Sequence, residues 1–78
     1  MDKVDGKFDV IVANIIADAI IEISRDIKNY IIPGGVFIAS GIILDRIEDV
    51  EKNIVDAGLT VIDIKTMGEW AVMVSRYE

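Results

Sequence analysis

The fold of this chain is decided by the stretch Phe8-Asp9-Val10-Ile11-Val12-Ala13-Asn14-Ile15-Ile16-Ala17-Asp18. Its first part, Phe8 to Ala13, is almost wholly apolar, which predicts a strand buried on both faces of a sheet. Asn14 follows at the point where this strand gives way to a helix. Because ligands of open parallel α/β sheets lie outside the carboxyl ends of the strands, Asn14 is the first candidate for a chemical role.

The pattern after this strand predicts a helix that begins at Asp18 and buries one stripe of side chains. The stripe is predicted to contain Ile20, Ile23, Ile27 and Tyr30 or Ile31. Pro33-Gly34-Gly35 then ends the helix and forms a turn, because a proline cannot continue the helix. A second apolar strand follows from Val36 to Ser40 and leads into Gly41.

A second helix is predicted from its first turn, where Asp45-Arg46-Ile47-Glu48 resembles a capping box. Its buried stripe is predicted to be Ile47, Val50, Ile54 and Ala57. Gly58 lies where a left-handed residue commonly ends a helix.

The next stretch, Thr60 to Thr66, predicts an edge strand with one face in water. Ile62 and Ile64 are expected on its buried face, with Asp63 and Lys65 on the other.

The order of the strands follows from the short link Met67-Gly68-Glu69, which requires an antiparallel hairpin to the last strand, Trp70 to Ser75. This last strand is more apolar than its predecessor, so we place it inside the sheet beside the second strand. Right-handed crossovers make the first three strands parallel. The predicted fold class is therefore α/β, a four-stranded mixed sheet of spatial order 1-2-4-3 with an antiparallel last strand and two helices.

The composition indicates more apolar surface than a small two-layer domain needs, since 53% of the 78 residues are hydrophobic and the mean hydropathy is +0.46. A chain of this length buries roughly 60% of its unfolded surface and is only marginally stable alone. The excess predicts surface that something outside this chain covers. No stretch is long enough for a membrane span, because the apolar run from Tyr30 to Leu44 is interrupted by Pro33-Gly34-Gly35.

The charges and the missing residue types exclude several functions. The net charge is -6 and the basic residues are scattered singly, which argues against direct nucleic-acid binding. The chain has no cysteine and no histidine, so disulfides, Cys/His zinc sites, cysteine nucleophiles and Ser-His pairs are excluded, and no metal site is expected. The lack of cysteine, and a polar lead-in from Met1 to Lys7 in place of a signal peptide, fit a cytoplasmic protein.

Three stretches carry a resemblance to a known family. They are the strand-and-turn segment from Phe8 to Ala17, Ile32-Pro33-Gly34-Gly35 with Ser40-Gly41-Ile42, and Gly68-Glu69-Trp70. Together with the topology, they resemble the C-terminal half of the Rossmann-like catalytic domain of a class I S-adenosylmethionine-dependent methyltransferase. The chain is most similar to the methyltransferases that modify stalk-base protein eleven of the large ribosomal subunit.

The resemblance implies an enzyme that transfers methyl groups from S-adenosylmethionine to lysine and N-terminal amino groups of that ribosomal protein. It implies a catalytic and cofactor-binding role for Asn14, and a substrate-lining role for Ile15, Ile16, Ser40 and Gly41. The glycine-rich cofactor loop of the family and the acidic residue that holds the ribose have no counterpart in this sequence. We therefore expect residues 1–78 to be a partial methyltransferase domain, inactive alone.

Other interpretations of the same residues stay open at this point. Asn14 could cap the following helix, Asp18 suits the positive end of that helix, and Gly41 could serve only a loop conformation. Trp70 is more typical of core or edge cover than of a ligand contact. A non-catalytic α/β module that self-associates, or that pairs with a separate cofactor-binding half, is the alternative function. Its interface would be the bare edge of the strand from Phe8 to Ala13.

Overall fold

Strands and helices alternate along residues 7–77, the part of the chain that this computed structural model describes. The elements are β1 (Phe8–Asn14), α1 (Ala17–Ser24), a 3-10 turn (Ile27–Asn29), β2 (Ile31–Ile43), a second 3-10 turn (Leu44–Arg46), α2 (Ile47–Asp56), β3 (Leu59–Met67) and β4 (Trp70–Tyr77). Of the polar lead-in predicted from Met1 to Lys7, all but Lys7 lies outside the described residues.

The strands form one sheet in the order β1-β2-β4-β3, which confirms the predicted topology. β1 and β2 are parallel, whereas β4 runs antiparallel to both of its neighbours. The hairpin between β3 and β4 is tight, since Met67 pairs with Trp70 and Gly68 adopts a left-handed φ of 63°. This short turn forces β4 to reverse direction.

One face of the sheet holds the core. Phe37 and Ala39 of β2 and Met73 of β4 are fully buried there, as are Ile20 of α1 and Ile54 of α2. In α2 the stripe follows the prediction, with Val50 and Ile54 buried and Ile47 and Ala57 packed against the core. Gly58 ends this helix with a φ of 98°, as expected for a left-handed cap.

The opposite face of the sheet is apolar but uncovered by the described residues. Val12 pairs with Ile38, which pairs in turn with Val74, so these side chains share a face. Val12 is 65% exposed, and the other two are only partly buried. The prediction that Phe8 to Ala13 is buried on both faces is therefore wrong for this chain. Among the described residues, β1 is an edge strand with β2 as its one neighbour, and its most buried side chains are only half-buried.

α1 ends earlier than predicted, so the predicted stripe continues beyond the helix. Ile20, Ile27 and Ile31 are buried as predicted, although Ile27 lies in the 3-10 turn and Ile31 in β2, whereas Ile23 is 39% exposed. Ala17 and Ser24 are buried as well. The Ser24 hydroxyl donates a hydrogen bond of 2.7 Å to the carbonyl oxygen of Ile21. Such a bond competes with the helical backbone pattern, which accounts for the change to a 3-10 turn here.

Pro33-Gly34-Gly35 does not end a helix, contrary to the prediction. The segment belongs to β2, at a place where the register with β1 shifts, because Phe8 pairs with Ile31 but Val10 pairs with Val36. The extra residues of β2 bulge out, and Gly34 adopts a φ of 83° within the bulge.

The predicted capping box does not form. Neither the 3-10 turn before α2 nor α2 itself has a side-chain hydrogen bond at its N-cap, and Arg46 occupies the N-cap position of α2. Its guanidinium binds Asp49 in the first turn of the helix. The chain enters α2 through a 3-10 turn that contains Asp45. Asp45 is therefore not the N-cap of α2, and it does not form a capping box with Glu48.

A bulge in β3 changes which side chains face the core. Val61 pairs with Ser75 and Asp63 pairs with Val74, which leaves Ile62 as an extra residue. Val61 and Ile64 pack against the core while Ile62 is exposed, so the prediction that Ile62 and Ile64 share a face is wrong. The edge position of β3 is confirmed.

The core can be tested with two adjacent positions of α2. Ile54→Ala removes a fully buried side chain and should lower the free energy of unfolding by about 2–5 kcal/mol. Val55→Ala is the matched control, because Val55 is 52% exposed and alanine favours a helix. Urea unfolding followed by circular dichroism measures both. Equal losses in the two variants would contradict the assignment of this core.

Candidate functional site

The ends of β1 and β2 bring most of the predicted site residues together. Asn14 is the last residue of β1 and pairs with Ser40 of β2, which continues past it. An open depression at this edge of the sheet is lined by Asn14, Ile15, Ile16, Gly41 and Trp70. Ser40 lies beside it, and its hydroxyl donates a hydrogen bond of 3.4 Å to the carbonyl oxygen of Ala13. Ser40 therefore adds one long side-chain hydrogen bond to the pairing of the two strand ends.

The Asn14 side chain is exposed and makes no hydrogen bond within residues 7–77. The N-cap of α1 is Ile16, and no side chain caps that helix. The interpretation of Asn14 as a helix cap is therefore wrong. A primary amide offers two donors and one acceptor, and here it presents them at the strand end.

β2 changes direction beside this amide. Between Ala39 and Ile42 the strand carries one more residue than β4 opposite, and Gly41 within this bulge adopts a φ of 78°. Bulges of this kind often lie next to active sites, where they redirect a side chain or end the pairing. The bulge places the Gly41 backbone against the Asn14 side chain.

Trp70 is a site residue that the sequence did not single out for this role. It is 52% exposed, so it is not a core residue, and it lines the same depression as Asn14. Trp70 begins β4 opposite Ile43 at the end of β2. The predicted topology already indicates this position for Trp70, because an antiparallel β4 must start at the edge of the sheet where parallel β1 and β2 end. The short hairpin therefore carries the indole to the site.

Arg46 connects the two loops that border the site. Its Nη2 donates to Oδ1 of Asp18 at 2.7 Å, and its Nε donates to Oδ2 of Asp49 at 3.1 Å. The first bond joins the start of α1 to the entry of α2. The hydrogen bond to Asp18, followed by that to Asp49, raises the pKa of Arg46 above its ordinary value. Asp18 accordingly acts as a first-turn charge of α1 that anchors this guanidinium.

The described residues of this site offer few polar groups to a cofactor or a metal. No group of three or more His, Cys, Asp or Glu side chains that could hold a metal occurs in residues 7–77. Within the same residues, the glycines with positive φ lie at a bulge, a cap or a hairpin, and none opens a helix after a strand. The site therefore offers the Asn14 amide and apolar neighbours to a cofactor, without a cradle for its polar parts. None of the described helices is both long and apolar enough to cross a bilayer.

The fold and this site define a class of protein. A methyltransferase from Pyrococcus furiosus superposes on 95% of this chain with a TM-score of 0.71 at 15% identity. The M1.HpyAVI–SAM complex superposes on 94% of it with a TM-score of 0.73 at 14% identity. The fold is thus that of part of a methyltransferase domain.

A family model and curated relatives show to which methyltransferase family the chain belongs. The family model for ribosomal protein L11 methyltransferase (PrmA) matches residues 1–78, and the chain belongs to that family. A ribosomal protein L11 methyltransferase of Alkaliphilus oremlandii is 54% identical over 76 residues, which are 97% of this chain and 24% of the relative. A ribosomal protein L11 methylase structure from Lactobacillus delbrueckii superposes on this chain with a TM-score of 0.90 and 27% identity. The superposition covers 97% of this chain and 40% of the Lactobacillus chain. The chain therefore spans about a quarter of the length of the curated relatives it matches.

Trp70 gives a direct check of the site, because it is the single tryptophan of the chain. We expect acrylamide to quench its emission in the native protein, more than for a buried indole but less than after unfolding in urea, since half of the side chain is exposed. Fluorescence quenching with and without urea measures this. An indole fully shielded in the native state would contradict the position described here.

Proposed function

We propose that this chain supplies one wall of the active site of a ribosomal protein L11 methyltransferase, as a partial domain formed by residues 1–78. The proposed reaction transfers methyl groups from S-adenosylmethionine to lysine and N-terminal amino groups of the ribosomal protein, in the cytoplasm. Membership of the family supports the reaction class. The observation that carries the proposal is the Asn14 amide at the end of β1, which lies beside Trp70 and Gly41 and makes no hydrogen bond within residues 7–77.

The amide of Asn14 orients the amine that accepts the methyl group. When bound, S-adenosylmethionine supplies an already activated methyl group, so the reaction is an in-line displacement that needs a correctly placed lone pair. The carbonyl oxygen of Asn14 accepts a hydrogen bond from the incoming amine, while its NH₂ group is free to donate toward the cofactor. Holding the amine in this way replaces a random encounter by a fixed geometry, which is a large part of such catalysis.

The apolar neighbours of Asn14 favour the reactive form of the substrate. Ile15, Ile16 and Trp70 line the same depression and make its wall less polar than bulk water. A less polar surrounding disfavours the charged form of an amine and lowers its pKa. The neutral amine, which has the lone pair, is thereby favoured beside Asn14. Ser40 contributes indirectly, through its hydrogen bond to the end of β1.

The cofactor is proposed to be held mainly by residues outside this chain. Asn14 is the one described residue that we assign to cofactor contact, because no glycine loop opens a described helix after a strand. We therefore expect the 78-residue chain alone to transfer no methyl groups. Activity is expected only when the rest of a family member completes the domain.

The role of Asn14 can be tested in a chimera, in which this chain replaces the 76 matching residues of the Alkaliphilus oremlandii relative. Asn14→Ala should lower the turnover roughly 100-fold, because the amine loses its orienting acceptor. The assay is transfer of labelled methyl groups from S-adenosylmethionine to ribosomal protein L11. Asn29→Ala is the matched control, because Asn29 is an exposed asparagine in the 3-10 turn after α1. Near-normal turnover of Asn14→Ala with unchanged folding would overturn the proposed function.

The isolated chain is proposed to self-associate through its bare edge. β1 has a single neighbour in the described sheet, and Val10 and Val12 are both more than half exposed on the same face. Unpaired strand edges and contiguous apolar surface favour pairing between chains. This association is proposed for the chain when nothing else covers the edge of β1. It therefore does not require the alternative function, a non-catalytic α/β module.

The association can be measured by sedimentation of the purified chain at increasing concentration. We expect dimers or larger species, and Val12→Lys should shift the equilibrium toward monomer because it places a charge on the exposed edge strand. Ile62→Lys is the matched control on β3, the other edge of the sheet. A monomer at high concentration would contradict the proposal, as would equal effects of the two lysine variants.

A further inference from the structure

The contact between Gly41 and Asn14 is closer than any side chain at position 41 permits. A Cβ atom built on Gly41 would lie 2.7 Å from Oδ1 of Asn14 and 3.5 Å from the carbonyl oxygen of Ile15. The first distance is below normal van der Waals separation, whereas the second is an ordinary contact. The amide of Asn14 therefore occupies the space that a side chain of residue 41 would need.

We infer that Gly41 is a positioning residue for Asn14. This inference rests on the proposed role of Asn14 in methyl transfer, and it assigns to Gly41 a function beyond lining the site. The bulge of β2 brings the bare Gly41 backbone against the amide. The absence of a side chain at position 41 leaves room for the amide in this orientation, which a Cβ would exclude.

The contact matters because hydrogen bonds do not fix this amide within the described residues. Its side chain is exposed and can rotate among several conformations. Residue 41 decides whether the orientation described here is among them, because a Cβ at that position would exclude it. Gly41 thus acts on the reaction through Asn14.

A substitution at Gly41 has two separable effects. Any L-residue there is strained, because φ is 78°, and any Cβ displaces the amide. The displaced atom is the far end of a flexible side chain, so the amide can rotate away at little cost to stability. Gly34 provides the matched control, because its φ is 83° and nothing lies within 4 Å of a Cβ built there. Gly34→Ala carries the same backbone strain without the contact.

The first measurement is structural and uses the 78-residue chain. Gly41→Ala and Gly34→Ala should lower the urea midpoint by similar amounts. The side-chain NH₂ resonances of Asn14 in a nitrogen-proton correlation spectrum should shift in Gly41→Ala and stay unchanged in Gly34→Ala. Unchanged resonances in both variants would overturn the inference. If Gly41→Ala fails to fold, recovery of folding in the double variant Asn14→Ala/Gly41→Ala supports the contact, and failure of the double variant overturns it.

The second measurement separates positioning from a purely structural role and uses the chimera. Gly41→Ala should lower the turnover toward that of Asn14→Ala, and the double variant should be no slower than Asn14→Ala alone. Gly34→Ala should keep normal turnover. A further loss in the double variant would mean that Gly41 acts independently of Asn14. Normal turnover of Gly41→Ala beside a slow Asn14→Ala overturns the positioning alone, whereas normal turnover of Asn14→Ala overturns the proposed function.

Discussion

The parallel pairing of β1 with β2 is the constraint on which the rest of this structure depends. Parallel strands end at the same edge of a sheet, and the register that joins Asn14 to Ser40 brings two loops to one place. The hairpin that follows β3 then turns β4 into an antiparallel strand that starts at this edge. The side chains of Asn14 and Trp70 consequently line one depression together with Gly41, although 56 positions separate Asn14 from Trp70 in the sequence.

The strand order could be predicted because it depends on few and strong local signals. The link Met67-Gly68-Glu69 allows only a reversal, and the apolar character of the stretch from Trp70 to Ser75 places it inside the sheet. Two of the predictions that were wrong, the end of α1 and the alternation of β3, depend on single residues. Ser24 ends α1 through a bond to its own helix, and Ile62 leaves the alternation of β3 through a bulge. Neither event changes the apolar pattern on which the prediction rested.

The position of Asn14 at the end of a strand could be predicted, whereas the residues that surround it could be predicted less well. A polar residue directly after a buried-type strand marks the strand end, where ligands bind in open α/β sheets. The close approach of Gly41 could not be predicted, because it depends on a bulge and on the rotamer of a residue 27 positions away. Arg46 was missed for a similar reason, since a long charged side chain reaches partners that no spacing rule specifies.

The uncovered face of the sheet and the candidate site are parts of the same surface. Val10, Val12 and Asn14 alternate along β1, so the amide points to the side of the sheet that carries the exposed valines. Burying that apolar face stabilises the chain by roughly 25 cal/mol per Å² removed from water. A cover placed over the valines also lies against Asn14, where the proposed cofactor binds. We therefore expect burial of the exposed valines and completion of the proposed site to go together.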